Sequence, residues 1–105
     1  MTTEMTDVIV VGFGAAGTAA AITAREHGVE VIALDRGNGG GATAISGGII
    51  YAGAGTSVQK QAGVSDSVEE MLAYLRLEVG ETTDPDTLER FVRTSPEMID
   101  WLQRY

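Results

Sequence analysis

Cysteine is absent from the 105 residues, and histidine occurs once, as His27. No disulfide, thiolate metal site or cysteine nucleophile can exist, and a multi-histidine metal centre is excluded. Basic residues are scarce: 7 Lys and Arg stand against 15 Asp and Glu, a formal net charge of −8. An acidic chain without a Lys/Arg cluster repels phosphate backbones and anionic headgroups, so neither nucleic acid nor a membrane surface is an expected partner. Apolar runs are broken by glycine or charge well short of the roughly 20 residues that span a bilayer. The start, Met1 to Asp7, carries no positive charge and lacks the basic region of a secretory signal, which makes the cytoplasm the expected location. Hydrophobic residues make up 44% of the chain. That is too many for a disordered segment, and the length allows one domain at most.

What is present has a clear order. Val8-Ile9-Val10-Val11 is a β-branched run of the kind expected for a strand buried on both faces of a parallel sheet. The turn Gly12-Phe13-Gly14-Ala15-Ala16-Gly17 follows, then an Ala-rich helix-favouring stretch to Glu26, with Gly28 placed as its stop. Val29 to Leu34 reads as a second strand that delivers Asp35 to its C-terminal end. Strand, turn, helix and strand fit the size of one crossover unit. From Gly37 to Gly55 glycine is frequent and side chains are small, which gives no core of its own. Three helices are predicted beyond. Ser67 with Glu70 opens one whose stripe is Met71, Leu72, Leu75 and Val79. Asp84-Pro85 opens the second, ahead of Leu88, Phe91 and Val92, and Ser95-Pro96 opens a third before Met98, Ile99 and Leu102.

Gly12, Gly14 and Gly17 fill a G-x-G-x-x-G pattern, and each position has a physical reason. The first permits a tight turn out of the strand. The second lets a pyrophosphate approach bare backbone, and the third lets helix and strand pack closely. The helix N-terminus then offers N–H groups and partial positive charge to phosphates. Asp35 lies about where an acid reaches ribose hydroxyls in such a unit. Both FAD and nicotinamide cofactors contain ADP, so this fingerprint alone leaves both open. The second cluster, Gly39-Gly40-Gly41-Ala42-Thr43-Ala44-Ile45-Ser46-Gly47-Gly48, suits a cofactor that extends past its pyrophosphate and thus favours FAD over an NAD-dependent dehydrogenase.

These residues resemble the FAD-binding start of the fumarate reductase/succinate dehydrogenase flavoprotein superfamily. The stretch Ile49-Ile50-Tyr51-Ala52-Gly53-Ala54-Gly55-Thr56 with Gln59 is most similar to its 3-ketosteroid dehydrogenase-like branch. Asp66-Ser67, Tyr74-Leu75, Ser95-Pro96-Glu97-Met98 and Trp101-Leu102 fit the same likeness. The resemblance implies a Rossmann-like α/β fold: a βαβ FAD-binding unit with its second loop over 7–58 and a helical continuation over 59–105, together an incomplete domain. It implies Gly12, Gly14, Ala15, Ala16 and Gly17 around the pyrophosphate, Asp35 on the adenosine ribose and Arg36 near the adenine. Gly41, Ala42, Thr43, Ser46, Gly47 and Gly48 would line the ribityl chain and isoalloxazine. Covalent members use a histidine in the second loop. None stands here, so noncovalent FAD is implied.

The activity implied is dehydrogenation or reduction of a carbon–carbon bond beside a ketone, on a small molecule such as a steroid. Family members are several times longer, so the catalytic residues are expected downstream of Tyr105 and the chain alone is expected to be inactive. A truncated, non-catalytic nucleotide-binding module is the alternative at this length, and oligomeric state is not readable. Tyr51 is read as a packing residue, His27 as a helix-end group, and Trp101 as packing. The acids Asp66, Glu69, Glu70, Glu78, Glu81, Asp84 and Asp86 lack ligand spacing and read as a solvated face with caps.

Overall fold

The computed structural model describes residues 3–105. Met1 and Thr2, part of the start that has no basic side chain, lie outside the described residues. The chain is mixed α/β and divides into two compact units, Met1–Ile49 and Ile50–Tyr105.

The first unit contains strand β1 (Val8–Val11), helix α1 (Ala15–Glu26) and strand β2 (Val31–Leu34). The strands pair in parallel with Val8 opposite Val31 and Val11 opposite Leu34. Asp7 starts the pairing by accepting the Glu30 N–H at 2.8 Å, and the Val8 N–H goes to Glu30 O at 3.0 Å. Val29 falls outside the strand because its N–H turns back to Ala24 O. Helix α1 ends as its sequence indicates. His27 is the C-cap, with Nδ1 2.8 Å from the Thr23 carbonyl oxygen, and Gly28 follows with a left-handed φ of +81°. Glycine takes that conformation without a Cβ penalty, which is why it stops helices.

One expectation fails here. The β-branched run is not covered on both faces: Val8 and Val10 are half-buried, while Ile9 is 59% and Val11 84% exposed. Among the described residues of this unit one α-helix packs on the sheet, so only alternate side chains of a strand are covered. A five-residue 3₁₀ turn, Gly41–Ile45, follows in the second glycine-rich segment.

The second unit holds α2 (Ser57–Gln61), α3 (Val68–Val79) and α4 (Pro85–Leu102). Its core is Met71, Leu72 and Leu75 of α3 against Leu88 and Val92 of α4. Burial of each such side chain contributes about 1.5–3 kcal/mol. Caps are where the sequence puts them: Ser67 Oγ accepts the Glu70 N–H at 3.1 Å, and Asp84 Oδ1 accepts the Thr87 N–H at 2.9 Å.

Two helical boundaries differ from expectation. Thr56 and Gln59 form a reciprocal capping box that opens α2, an element not anticipated. Conversely, Ser95-Pro96 opens nothing, because α4 runs through Pro96 without a break. Ser95 is 1% exposed and its Oγ accepts the Gly53 N–H at 3.0 Å, so its hydroxyl is not serving as a cap. The inward-facing stripe Leu88, Val92, Ser95, Ile99 keeps helical spacing across the proline, and its burial outweighs the one helical N–H that proline lacks. Among the described residues no helix is long and apolar enough to cross a membrane.

Candidate functional site

At the C-terminal ends of β1 and β2 the chain makes two glycine-rich loops, and they are tied together. Gly12 leaves β1 at a φ of +95°, and its N–H reaches Leu34 O at 2.7 Å. Phe13 O accepts the Gly40 N–H at 2.6 Å. Thr43 Oγ1 accepts the Ala15 N–H at 3.1 Å, so the first turn of α1 is capped by a hydroxyl 28 residues away. Gly14 itself provides no side-chain cap. A Cβ on Gly14 would point at Gly40 O, Gly41 Cα and Thr43 Oγ1, each 3.9 Å away. Those are ordinary contact distances, so the second loop packs on Gly14 without itself demanding glycine there.

Gly17 is the tightest point. A Cβ there would overlap the Gly12 carbonyl oxygen and stand 2.9 Å from its carbonyl carbon. No other residue type lets α1 start this close to the turn that precedes it. The consequence is an open helix mouth. Neither Ala16 nor Gly17 has a hydrogen-bond partner for its N–H among the described residues, since the carbonyls one turn earlier lie outside the helix. Such unsatisfied N–H groups carry the positive end of the helix dipole and favour an anion.

Asp35 sits beside this mouth and is exposed. Its Oδ2 accepts the Phe13 N–H at 2.9 Å and its Oδ1 the Gly37 N–H at 2.8 Å. The hydrogen bond from Gly37, then that from Phe13, hold the carboxyl below the ordinary carboxylate range. It is thus an acceptor only, and an ionised carboxylate has about four acceptor positions, which leaves capacity for hydroxyl donors. Val11, Gly12, Leu34, Asp35 and Arg36 line one depression of about 360 Å³.

Ser46 folds its hydroxyl inward. Its Oγ donates to Thr43 O at 2.8 Å and accepts the Gly48 N–H at 3.3 Å. Ala42 is exposed, and Gly47 and Gly48 would each accommodate a Cβ with no atom within 4 Å. The first unit therefore brings Gly12, Gly14, Ala15, Ala16, Gly17, Asp35, Arg36, Gly41 and Thr43 to one end of the sheet. Ser46, Gly47 and Gly48 lie on the outgoing end of the second loop. Two ties went unread in the sequence: Asp35 to the Phe13 amide and Thr43 to the Ala15 amide. Both join residues more than twenty apart, and no local pattern marks them.

In the second unit Tyr51 and Tyr74 line a cavity of about 370 Å³ with Gly53, Gln59, Asp66 and Met71. Tyr74 is held above the usual phenol value, first by its hydrogen bond to Glu78. Trp101 packs on Tyr105 with the rings tilted at 54° and their centroids 5.0 Å apart.

The residues fit a dinucleotide: a helix mouth that a Cβ at Gly17 would disrupt, and beside it an ionised acceptor over an open depression. Comparisons with known proteins agree. The chain is 45% identical over 101 residues to a 3-oxo-5-alpha-steroid 4-dehydrogenase of Comamonas testosteroni, which covers 96% of this chain and 19% of that protein. It is 35% identical over 106 residues to a 3-oxosteroid 1-dehydrogenase of Mycobacterium tuberculosis, which covers 100% of this chain and 19% of that protein. In structure it superposes on a 3-ketosteroid-delta4-(5alpha)-dehydrogenase from Rhodococcus jostii RHA1, crystallised with 4-androstene-3,17-dione, with a TM-score of 0.87 and 41% identity. That match covers 94% of this chain and 21% of the Rhodococcus chain, so the sequence spans about a fifth of the relatives it matches. The FAD binding domain family model matches residues 7–105, which separates FAD from the nicotinamide alternative. With its glycine turn, open helix mouth and a neighbouring carboxylate in one place, this chain belongs to the FAD binding domain family.

Proposed function

We propose that these 105 residues are the ADP-gripping part of an FAD-dependent oxidoreductase acting on a carbon–carbon bond beside a ketone, with a steroid as the substrate class. The observation that carries it is the pair of uncommitted N–H groups at Ala16 and Gly17, above an ionised Asp35. In a chain of charge −8, a diphosphate has to be held by backbone dipoles, because the side chains repel it. The steroid class rests on the relatives named above, two of them steroid dehydrogenases by sequence and one by structure.

In this reading the βαβ unit is Rossmann-like, and residues 7–58 form the grip while 59–105 continue the domain. Gly12, Gly14, Ala15, Ala16 and Gly17 cradle the pyrophosphate, and Asp35 accepts from the ribose hydroxyls while Arg36 flanks the adenine. Thr43 keeps the second loop on the helix mouth, and Gly41, Ala42, Ser46, Gly47 and Gly48 follow the ribityl chain toward the ring. Bound FAD supplies the two-electron redox chemistry. The chain's own part is to bind and orient, since the proton-moving groups lie downstream of Tyr105. Attachment is noncovalent because the second loop has no histidine.

The test is purification of the 105-residue chain and of the full-length polypeptide that carries it, followed by the flavin absorption spectrum of each. The longer protein is expected to keep stoichiometric FAD, released intact by denaturation, and the short chain to keep little. A full-length protein free of flavin, and unable to take it up, sinks the reading.

A further inference from the structure

The first glycine turn carries one large side chain that its pattern does not call for. In Gly12-Phe13-Gly14 the middle position can hold any residue type, because the glycines alone meet the demands of the turn and the phosphates. Phe13 is nonetheless only 38% exposed, with a glycine on either side of it. The second loop supplies part of its cover. A Cβ on Gly39 would stand 2.9 Å from Phe13 Cδ1 and 3.8 Å from Phe13 Cβ and Cε1, so the ring fills the space a side chain on Gly39 would need.

That loop depends on being held. Gly39, Gly40 and Gly41 take φ of +79°, +83° and +50° in succession. Glycine reaches such angles freely, and for the same reason it leaves them unless its surroundings prevent it. Burial does not hold the loop, since every residue from Gly41 to Ile49 is exposed. Among the described residues, two hydrogen bonds join residues 40–48 to the rest of the first unit. One runs from Gly40 N–H to Phe13 O at 2.6 Å, the other from Ala15 N–H to Thr43 Oγ1 at 3.1 Å. The others stay inside the loop, such as Ala44 N–H to Gly40 O at 3.0 Å and Ser46 Oγ to Thr43 O at 2.8 Å. Phe13 thus acts on the loop twice, through its carbonyl on Gly40 and its ring on Gly39. It is itself fixed from the other side, where its N–H donates to Asp35 Oδ2 at 2.9 Å. All of these residues belong to the first unit.

We propose that Phe13 is a positioning residue that sets the second glycine-rich loop for the flavin half of the cofactor, while the glycines beside it serve the ADP half. The proposal rests on the FAD reading above and gives Phe13 no contact with the cofactor. The ring blocks movement of Gly39 and the carbonyl pins Gly40, so the loop is formed before the flavin arrives. A preformed loop raises affinity because binding no longer has to order it. ADP lacks the ribityl and flavin portions, so its binding reads the first turn alone.

The test uses the flavin-free full-length protein as wild type, Phe13→Ala and Phe13→Leu. Alanine removes the ring and keeps the backbone carbonyl. Leucine keeps a Cδ carbon at the point where the ring meets Gly39. Dissociation constants are measured for FAD and for ADP, and hydrogen exchange of amides 39–45 is followed before any cofactor is added. Phe13→Ala should weaken FAD roughly tenfold, the effect of freeing about one residue's backbone. It should leave ADP within about twofold of wild type, as for a surface substitution, and speed exchange at 39–45. Phe13→Leu should recover most of the FAD affinity. Equal losses of FAD and ADP in Phe13→Ala would make the ring a general support of the turn, and unchanged FAD binding would make it dispensable; either result overturns the proposal. So does a Phe13→Leu as weak as Phe13→Ala, which would mark the ring as a direct cofactor contact. A wild type that takes up no FAD fails differently, because it removes the underlying FAD reading.

Discussion

Replacing Gly17 by alanine adds one methyl group at the point where α1 crosses the turn behind β1. The methyl would overlap the Gly12 carbonyl oxygen, lie 2.9 Å from the carbonyl carbon and touch Val10 Cγ1 at 3.4 Å. Two of these neighbours are backbone, so no side chain can swing away, and the helix must shift. Overpacking of this kind costs about 1–3 kcal/mol. Alanine returns about 1 kcal/mol as the better helix former, so the net loss should be up to about 2 kcal/mol. Displacing the helix mouth should also weaken FAD by at least about tenfold, the factor that 1.4 kcal/mol represents. The assay is urea unfolding together with FAD titration of the full-length protein, with Gly37→Ala as a matched control. Gly37 has its nearest neighbour at 3.6 Å and no left-handed φ, so alanine there should stay within about 0.5 kcal/mol of wild type. If Gly17→Ala binds FAD within twofold of wild type and unfolds at the same urea concentration, the close approach is not what builds the site.

Pro96→Ala should stabilise the protein by about 1–2 kcal/mol, because a proline inside a helix costs about 3 kcal/mol and its stiffening of the unfolded chain returns only part. A fall in thermal midpoint would instead mark Pro96 as the start of a separate helix. Acid should loosen both units. Asp35, Asp66 and Asp84 are each held below the ordinary carboxylate value, first by the Gly37 N–H, the Gln59 side chain and the Thr87 N–H respectively. Their folded values lie below the unfolded ones, so their contribution is complete above about pH 4 and is lost as pH falls through the folded values. Unfolding free energy measured from pH 6 to pH 2 should therefore decline on the acid side, and a flat profile would refute the assignment.

Much of this protein is written in local pattern. The strand Val8–Val11, the glycine turn, the Ala-rich helix with its Gly28 stop, and the caps at Ser67 and Asp84 all depend on residues within one turn of each other, so composition and spacing suffice. Thr56 and Gln59 belong to the same class, since their capping spacing was present to be read. Ser95-Pro96 shows the limit: a local start signal is overruled when burial continues the stripe from Val92 to Ile99. The ties that make the site are of another kind. Asp35 to Phe13 and Thr43 to Ala15 join residues distant in sequence. Hydrogen bonding has no sequence period across such distances. The residue types chose the ligand chemistry, and only the folded chain decided which amides remain free to meet it.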